Sequence, residues 1–419
     1  ISPLTSFQKV NLEKTLNESQ QKSETIAKLE ETIRGLREHV AGLESKLRSE
    51  ETIRRELHNT IQELKGNIRV FCRVRPMLTS EESQRPCVFS FGQDERELVV
   101  EPTSPNESIC GTKKAVPKHE FAFDRVFTPS SSQEDVFGEI SQLIQSALDG
   151  YNVCIFAYGQ TGSGKTYTME GNTADHDKQG MIPRAMEQVF RTSQDLKEKG
   201  WQYAIEASFL EIYNETIKDL LGSGDANTKH EIKLVNPSST GGACEVTVTN
   251  VKTVNVTSET QVYSLLEKAT QNRAVAATQC NERSSRSHSV FRLKLTGVNN
   301  LTGEKCQGTL NLIDLAGSER LSQSCSTGER LRETKNINKS LSNLGNVIMA
   351  LANKEQHIPY RNSKLTFLLQ NSLGGNSKSL MFVNISPKEE SLQETLCSLR
   401  FATKVNQCNI GTAQKKVLK

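Results

Sequence analysis

Residues 26 to 64 repeat apolar side chains at alternating spacings of three and four, which is the heptad pattern of a coiled coil. Ten of the twelve seam positions are apolar, with β-branched residues prominent at a and leucine at d. This distribution favours a parallel, two-stranded coiled coil and therefore a homodimer. The alternative is a single amphipathic helix packed on a globular domain. The a positions are Ile26, Ile33, Val40, Leu47, Arg54 and Ile61, and the d positions are Leu29, Leu36, Leu43, Glu50, Leu57 and Leu64.

The seam is interrupted once, at Glu50 and Arg54, which lie one helical turn apart and can pair within a chain or across the dimer. Upstream of residue 26 the repeat decays, so residues 1 to about 20 are expected to fray. Gly66 and Asn67 end the helix. We therefore expect a stalk over residues 1–66, with a globular domain following directly.

Beyond Asn67 the pattern alternates between strands and helices. A predicted strand at 68–74 is followed by a helical stripe at 136–148 and an apolar strand at 151–158. This order predicts an α/β fold with a central, mostly mixed β-sheet covered by helices on both faces. Further strands are predicted at 203–212, 246–251, 289–296 and 309–315, and loops at 102–112, 171–180 and 222–242.

Composition and net charge exclude several classes of function. The net charge of +3 over 419 residues is too small for a chain dedicated to wrapping nucleic acid. The ten cysteines contain no C-x-x-C pair, and no apolar run reaches the length of a membrane span. We therefore expect a soluble protein with reduced thiols, no nucleic-acid partner and no membrane partner. Because the chain begins with Ile1 and the heptads start abruptly, we also expect a longer parent protein.

A complete phosphate-binding loop, G-x-x-x-x-G-K-[ST], follows the strand at 151–158 and opens a helix. Its glycines let main-chain N–H groups surround phosphates, its lysine contacts the β and γ oxygens, and its threonine can ligate Mg²⁺. The sequence therefore predicts an ATP and Mg²⁺ site. The loop consists of Gly159, Gln160, Thr161, Gly162, Ser163, Gly164, Lys165 and Thr166.

A second strand end, at Asp314, carries the sequence Asp-Leu-Ala-Gly-Ser-Glu. We predict that Asp314 supports the Mg²⁺ shell and that Gly317 offers its N–H to the γ-phosphate. The D-x-x-G spacing alone is also compatible with an ordinary turn after a strand.

A third string, Asn-Glu-Arg-Ser-Ser-Arg-Ser-His at 281–288, makes the chain resemble a kinesin. The resemblance implies that Ser285 helps to hold Mg²⁺ and that Arg286 pairs with Glu319 when the site closes. It also implies that Asn281 and Ser284 line the attacking water. The Arg286–Glu319 pair would then be a latch that links hydrolysis to movement of the following helix.

The resemblance extends from about residue 66 to about residue 412 and includes Tyr-Arg-Asn-Ser-Lys-Leu-Thr at 360–366. It implies a kinesin motor domain over 67–412, with a short tail at 413–419. It also implies an adenine pocket, in which aromatic and proline faces stack and arginines cover the ring edge. The pocket residues are Arg73, Arg75, Pro76 and Tyr167.

A charged stretch follows these motifs, with a predicted helix at 334–353, a loop at Pro359 and a second helix at 364–373. By itself it would be a solvated charged face. The resemblance instead implies a basic surface for acidic tubulin. Its predicted microtubule contacts are Lys335, Lys339, Lys354, Arg361 and Lys364, and Lys378 adds to the same run of charge.

The order of stalk before motor resembles the carboxy-terminal, minus-end-directed kinesins, especially spindle-associated members. This implies a microtubule-stimulated ATPase of the cytoplasm, cytoskeleton and spindle, with the nucleus as a further location. A GTPase would need N-K-x-D, whereas the nearest match, Asn-Lys-Ser-Leu at 338–341, lacks the acid. Three further functions compete with the motor: a microtubule cross-linker with little motility, a non-enzymatic scaffold, and a nucleic-acid translocase, which would carry helicase-like strings.

Overall fold

The computed structural model describes residues 3–66, 68–103, 118–222, 228–235, 245–275, 283–319, 329–374, 376–408 and 413–416. The chain divides into two compact units, Ile1–Asn59 and Thr60–Lys419, which we call the helical unit and the globular unit. The division lies seven residues before the boundary predicted at Gly66, so the last turn of the stalk helix belongs to the globular unit. None of the described helices has the length and apolar content needed to cross a membrane.

Helix α1 runs without interruption from Pro3 to Leu64. The helix predicted over 26–64 is confirmed, and it also includes the residues from Pro3 onward, for which fraying stays a prediction. All ten apolar seam side chains are exposed in the single chain, between 44% for Leu47 and 84% for Leu64. At the interruption, Arg54 donates to Glu51 at 2.9 Å, and Glu50 lies 3.9 Å from Lys46.

The globular unit is built on one nine-stranded mixed sheet. The strands that carry the predicted motifs pair in parallel at its centre, whereas the flank beyond β13 is antiparallel. The order is β11-β7-β12-β13-β6-β14-β1-β5, with β8 paired to β7; β9 and β10 form a separate pair, and β2, β3 and β4 a separate three-stranded sheet. The strands are β1 (Ile68–Val74), β2 (Val88–Phe91), β3 (Glu97–Glu101), β4 (His119–Ala122), β5 (Arg125–Phe127), β6 (Asn152–Tyr158), β7 (Trp201–Tyr213), β8 (Thr216–Asp219), β9 (Ile232–Val235), β10 (Glu245–Val248), β11 (Val254–Asn255), β12 (His288–Asn299), β13 (Lys305–Asp314) and β14 (Lys378–Ile385).

Helices cover both faces of this sheet, as predicted. Side chains of β6 alternate between two cores: Cys154 and Phe156 pack on one face, and Val153, Ile155 and Ala157 on the other. The first core includes helices α6 to α9, and the second includes α2 to α5. The helices are α2 (Gln133–Leu148), α3 (Lys165–Met169), α4 (Met181–Lys197), α5 (Glu259–Val275), α6 (Glu329–Ala352), α7 (Lys364–Leu368), α8 (Gln370–Leu373) and α9 (Leu392–Asn406).

Two predicted elements differ from the structure, and one central strand was not predicted. The segment 246–251 does not join the central sheet, because β10 pairs with β9, which itself lies inside the predicted loop 222–242. The helix predicted at 364–373 is divided at Leu369 into α7 and α8. The central strand β14 was not predicted at all, although every residue in it is buried.

The carboxyl-terminal tail packs against the globular unit. The main-chain N–H of Lys416 donates to the carbonyl of Gly150, and the N–H of Gln307 donates back to the carbonyl of Lys416, both at 3.0 Å. Ala413 is buried as well. Residues 413–416 therefore lie beside the first residues of β13.

The close approach of β13 to α2 generates a stability prediction. A Cβ on Gly308 would collide with the main-chain carbonyl of Ala147, so Gly308→Ala should destabilise the globular unit by about 1–3 kcal/mol. Gly345→Ala on α6 is the matched control, because its nearest neighbour would be Phe401 Cε2 at 3.7 Å. The control should stabilise the unit by about 0.5–1 kcal/mol. Denaturant midpoints measure both changes, and equal midpoints for the two variants would contradict the prediction.

Candidate functional site

The phosphate loop leaves the carboxyl end of β6 in a conformation that needs glycine. Gly159 has φ +149°, and a Cβ there would collide with the main-chain carbonyl of Asn384 on the neighbouring β14. Gly164 has φ +94° at the N-cap of the short helix α3. The predicted strand, loop and helix are therefore present in the predicted order.

Two of the three residues predicted to hold a metal ion, Thr166 and Asp314, meet behind this loop. The Thr166 hydroxyl donates to Asp314 Oδ2 at 2.6 Å. Asp314 Oδ1 and Ser163 Oγ are buried and find no hydrogen-bond partner among the described residues. Unsatisfied buried oxygens are rare in folded proteins, and oxygen donors are what Mg²⁺ prefers. The residues present therefore fit a Mg²⁺ site.

Lys165 and Asp314 face each other in a buried environment. Burial lowers the pKa of Lys165, and the charges of Asp314 and Glu319 oppose this effect. Burial likewise raises the pKa of Asp314, against the influence of Lys165 and the Thr166 hydroxyl. Lys165 Nζ donates to the carbonyl of Gln160 at 2.9 Å, which holds the cation within the loop.

The strand end after Asp314 contacts the phosphate loop and the 281–288 string. The Gly317 N–H, predicted to sense a γ-phosphate, donates to the carbonyl of Ser285 at 2.8 Å. The Glu319 carboxylate accepts from the main-chain N–H of Thr161 at 2.8 Å and from its hydroxyl at 2.6 Å. A phosphate oxygen that bound Gly317 would have to replace the Ser285 carbonyl.

The latch predicted between Arg286 and Glu319 is not formed in this structure. Arg286 Nη1 instead donates to Glu333 Oε2 on α6 at 2.8 Å. The 3-10 turn Arg283–Arg286 includes Ser284, whose side chain lies outside the described part of the chain, as does all of Asn281. The arrangement therefore corresponds to an open latch.

Two of the residues predicted to bind a base, Arg73 and Tyr167, lie against each other beside the loop. The Tyr167 ring is 44% exposed, and the Arg73 guanidinium lies 5.6 Å from its centroid. Arg73 Nη1 donates to Gln133 Oε1 at 2.7 Å and to Thr168 Oγ1 at 2.9 Å, and burial lowers the pKa of Arg73 to about 10. Gln133 Nε2 donates in turn to the Tyr167 carbonyl at 2.8 Å. Arg73 thus lies behind the aromatic face on which a planar base can stack.

Arg75 has a different role from the one predicted, because protein acceptors use all five of its N–H groups. Nε donates to the carbonyl of Gly162 at 2.6 Å. The two terminal nitrogens donate to Glu81 (both at 2.6 Å), the Pro76 carbonyl (2.8 Å) and Ser386 Oγ (3.2 Å). No N–H remains for the edge of a base. Arg75 instead holds the phosphate loop to the segment after β14.

The predicted track-binding residues lie along α6 and the segments packed on it. Lys335, Lys339 and Lys354 are exposed, and the exposed Arg361 lies 5.4 Å from the Phe367 ring centroid. Lys364 is half-buried at the start of α7.

Lys378 does not belong to this surface. It is 1% exposed, its Nζ lies 4.0 Å from the Tyr151 ring centroid, and burial lowers its pKa to about 8.

Sequence reasoning missed Gln133, Glu81 and Glu333. The S-x-x-D string at 132–135 is typical of a helix start, and Ser132 is the N-cap of α2. It carried no information about the contact of Gln133 with Arg73. Each of the three missed side chains forms a hydrogen bond with an arginine that is distant in sequence or lies on another element. No local sequence pattern therefore identifies them.

The Arg75–Glu81 pair predicts a pH dependence of stability. Hydrogen bonds from Arg75 lower the pKa of Glu81 to about 2, below its unfolded value of about 4.3. The charged carboxylate therefore stabilises the fold fully above the unfolded pKa and loses this effect as pH falls toward 2. Glu81→Gln should lower the denaturant midpoint at pH 7, with a gap to the parent that narrows below about pH 4. Exposed Glu82→Gln is the control, and a gap that widens in acid would contradict the assignment.

Comparison with known proteins identifies the family. Residues 73–408 match the family model "Kinesin motor domain". Kinesin-related protein 2 of Dictyostelium discoideum is 58% identical over 88% of this chain and 47% of its own length. Carboxy-terminal kinesin 2 of Xenopus laevis is 57% identical over 88% of this chain and 57% of its own. The chain thus spans about half the length of the curated relatives it matches.

Comparison with solved structures supports the same family. A structure described as the C-terminal motor and motor homology domain of Kar3Vik1, fused to a synthetic heterodimeric coiled coil, has a TM-score of 0.79 and 48% identity. It covers 91% of this chain and 96% of that one. Kinesin motor domains bind ATP and are microtubule-stimulated ATPases. The chain therefore belongs to the kinesin family and carries a motor domain of the carboxy-terminal class.

Proposed function

We propose that this chain is a microtubule motor that hydrolyses Mg-ATP under microtubule stimulation and moves toward microtubule minus ends. The observation that carries the ATPase proposal is the Thr166 hydroxyl, 2.6 Å from Asp314, at the base of a complete phosphate loop. A phosphate loop that only supported the fold would not need a hydroxyl and a carboxylate converging behind it, with a further buried oxygen unsatisfied among the described residues.

Thr166, Asp314 and Ser285 are the proposed Mg²⁺ residues. When bound, the ion offsets the negative charge that develops on the β- and γ-phosphates. Thr166 and Asp314 are already in contact, so the protein supplies two oxygen ligands without a large rearrangement. Ser285 belongs to the turn whose carbonyl accepts from Gly317, which ties this third ligand to the strand end after Asp314.

Protein groups then complete a closed site. The glycine-rich loop 159–164 surrounds the phosphates with N–H groups, and Lys165 supplies a positive charge. In the proposed closed state, the Gly317 N–H leaves the Ser285 carbonyl for the γ-phosphate. Arg286 then pairs with Glu319, and Asn281 and Ser284 line the attacking water. Hydrolysis would be accelerated because the closed site positions a water molecule and presents preformed charges, which is the usual basis of catalysis in phosphoryl transfer.

The basic side chains of α6 and its neighbours, four exposed and one half-buried, are the proposed track surface. Tubulin presents an acidic face, so a local basic patch suits it despite a net charge of only +3. This attraction should weaken as salt rises, because exposed charges are screened beyond about 8 Å at physiological ionic strength. The residues are Lys335, Lys339, Lys354, Arg361 and Lys364.

We propose that two chains dimerise through α1 and that the resulting coiled-coil rod acts as the lever of the motor. Ten exposed apolar seam side chains would be buried by a second, parallel helix. The similar Kar3Vik1 structure is described as fused to a synthetic heterodimeric coiled coil. Here we propose a homodimer. From Ile26 to Leu64 the helix is about 58 Å long at about 1.5 Å per residue, so its rotation produces a displacement of nanometres.

The joint of the lever lies at Gly66, which has φ +91°. Before it, Gln62 is fully buried and its Nε2 donates to Gln142 Oε1 of α2 at 2.9 Å. Arg69 Nη2 donates to Gln62 Oε1 at 2.5 Å. For a swing, this contact must hold in one nucleotide state and open in another.

The carboxy-terminal class supports a spindle role on cytoplasmic and spindle microtubules, with the nucleus as a further location. A second candidate function is a microtubule cross-linker with little motility, which the long exposed seam would also suit.

An ATPase assay with two variants tests the site and the track surface separately. Thr166→Asn should abolish turnover with and without microtubules, because it removes a metal ligand. The triple variant Lys339→Ala, Arg361→Ala, Lys364→Ala should keep the basal rate and lose microtubule affinity, with the loss largest at low salt. Parental turnover in T166N, or unchanged salt-dependent binding in the triple variant, would refute the corresponding assignment.

A polarity-marked gliding assay tests direction and lever. Surface-anchored through its amino terminus, the dimer should drive microtubules with plus ends leading. Removing whole heptads from α1 should lower gliding velocity roughly in proportion to rod length, with ATPase per head unchanged. Minus ends leading would contradict the direction, and immobile cross-linked filaments would favour the second candidate function.

A further inference from the structure

The Glu319 carboxylate is bound by two donors of the phosphate loop. Its Oε2 accepts from the main-chain N–H of Thr161 at 2.8 Å, and its Oε1 accepts from the Thr161 hydroxyl at 2.6 Å. Successive main-chain N–H groups of such a loop form an anion-binding concavity that suits phosphate oxygens. A carboxylate, with two oxygens and a negative charge, can accept from the same donors. Glu319 is therefore an anion bound where the loop offers donors to phosphate.

The surroundings of Glu319 are those proposed for the γ-phosphate. A Cβ added to Gly317, whose N–H is the proposed γ-phosphate donor, would collide with both Glu319 carboxylate oxygens and with Thr161 Oγ1. Burial lowers the pKa of Lys165, and the charges of Asp314 and Glu319 oppose this effect. Glu319 thus lies close to the lysine predicted to contact the β and γ oxygens. The carboxylate and the γ-phosphate share the same neighbours.

A carboxylate and a γ-phosphate cannot both occupy this position. Each is an anion, and like charges within a few ångströms of each other repel. Each also accepts from the Thr161 N–H, which carries a single hydrogen. A triphosphate must therefore displace Glu319 from Thr161. A diphosphate has no γ-phosphate, so it leaves both hydrogen bonds to Glu319 in place.

We propose that the Glu319 carboxylate competes with the γ-phosphate of ATP for Thr161, and that Thr161 is a positioning residue that retains Glu319 until a triphosphate binds. This inference rests on the proposed function as an ATPase. In the open arrangement the competition weakens the binding of a triphosphate but not that of a diphosphate, so the site favours ADP. A triphosphate that binds releases Glu319 from the loop. Glu319 is then available to Arg286, so the substrate itself frees one of the two latch residues.

The decisive comparison places Glu319→Gln in an Arg286→Ala background. This background removes the expected latch from both proteins, so an effect of E319Q arises from the open arrangement alone. Glutamine has no charge and only one acceptor oxygen, so one of the two bonds to Thr161 is lost. The affinity for the non-hydrolysable β,γ-imido analogue of ATP should rise about tenfold, as expected for the loss of a hydrogen bond to a charged group. The ADP affinity should not change.

Both affinities are measured on the whole chain with Mg²⁺, by competition against a fluorescent ADP. A carboxylate that merely supported the loop would, when replaced, weaken both nucleotides or lower the thermal midpoint. It would not raise the affinity for the triphosphate alone. Glu82→Gln in the same background removes an equal charge from an exposed position and should alter neither affinity.

Substitutions of Thr161 test whether the effect passes through its hydroxyl. Thr161→Ser keeps both donors, so E319Q should produce the full rise in triphosphate affinity in that protein. Thr161→Val has already lost the hydroxyl bond, so E319Q should produce a smaller rise. Glu319→Asp carries the test if E319Q does not fold. It keeps the charge but is one methylene shorter, so it cannot reach both donors, and it should also raise the triphosphate affinity relative to that for ADP.

The outcomes separate this inference from the proposed function. A parent protein that binds neither nucleotide would overturn the proposed function and the inference with it. If the parent binds both nucleotides and a folded E319Q raises neither affinity, or raises both equally, the inference alone is overturned. An equal rise with serine and with valine at residue 161 would likewise show that Thr161 does not retain Glu319.

Discussion

The parallel pairing of β6 with β13 is the constraint on which the site depends. In this register Asp314 lies opposite Ala157, two residues before the phosphate loop begins. Because parallel strands end at the same edge of a sheet, the loop after β6 and the string after β13 must meet there. The contact of Thr166 with Asp314 and that of Thr161 with Glu319 are direct consequences. β14, on the other side of β6, closes the loop from behind through the Asn384 carbonyl.

Around this edge, three basic side chains each lie next to one or two carboxylates. Arg75 is bound by Glu81, Arg286 by Glu333, and Lys165 lies near Asp314 and Glu319. The first pair holds the phosphate loop, whereas the second lies between the site and the helix proposed to contact the track.

The helical unit and the globular unit are stabilised by different interactions. The stalk helix exposes an apolar seam that only another helix can bury, so its stability depends on association. The last turn of α1 is different, since Gln62 is buried and bound to Gln142 within the globular unit. A left-handed glycine at residue 66 then precedes β1, which lies between β14 and the edge strand β5.

Local patterns determined much of this architecture. Heptad spacing predicted α1, alternating apolar runs predicted β6, β12 and β13, and the eight residues from Gly159 to Thr166 predicted the phosphate loop, because periodicity and glycine placement express short-range backbone geometry. Tertiary structure alone decided the rest. β14 was missed and β10 was assigned to the wrong sheet, since strand pairing is a long-range choice.

The partners of charged side chains were decided in the same way. The sequence analysis predicted that Arg286 pairs with Glu319 when the site closes, that Arg75 covers a base and that Lys378 adds to a run of surface charge. In the structure Arg286 binds Glu333, Arg75 holds Gly162, and Lys378 is buried against Tyr151. A sequence specifies which charges exist and on which elements they lie. Which carboxylate each cation reaches depends on distances of a few ångströms between elements that are remote in the chain, and only the packed fold sets those distances.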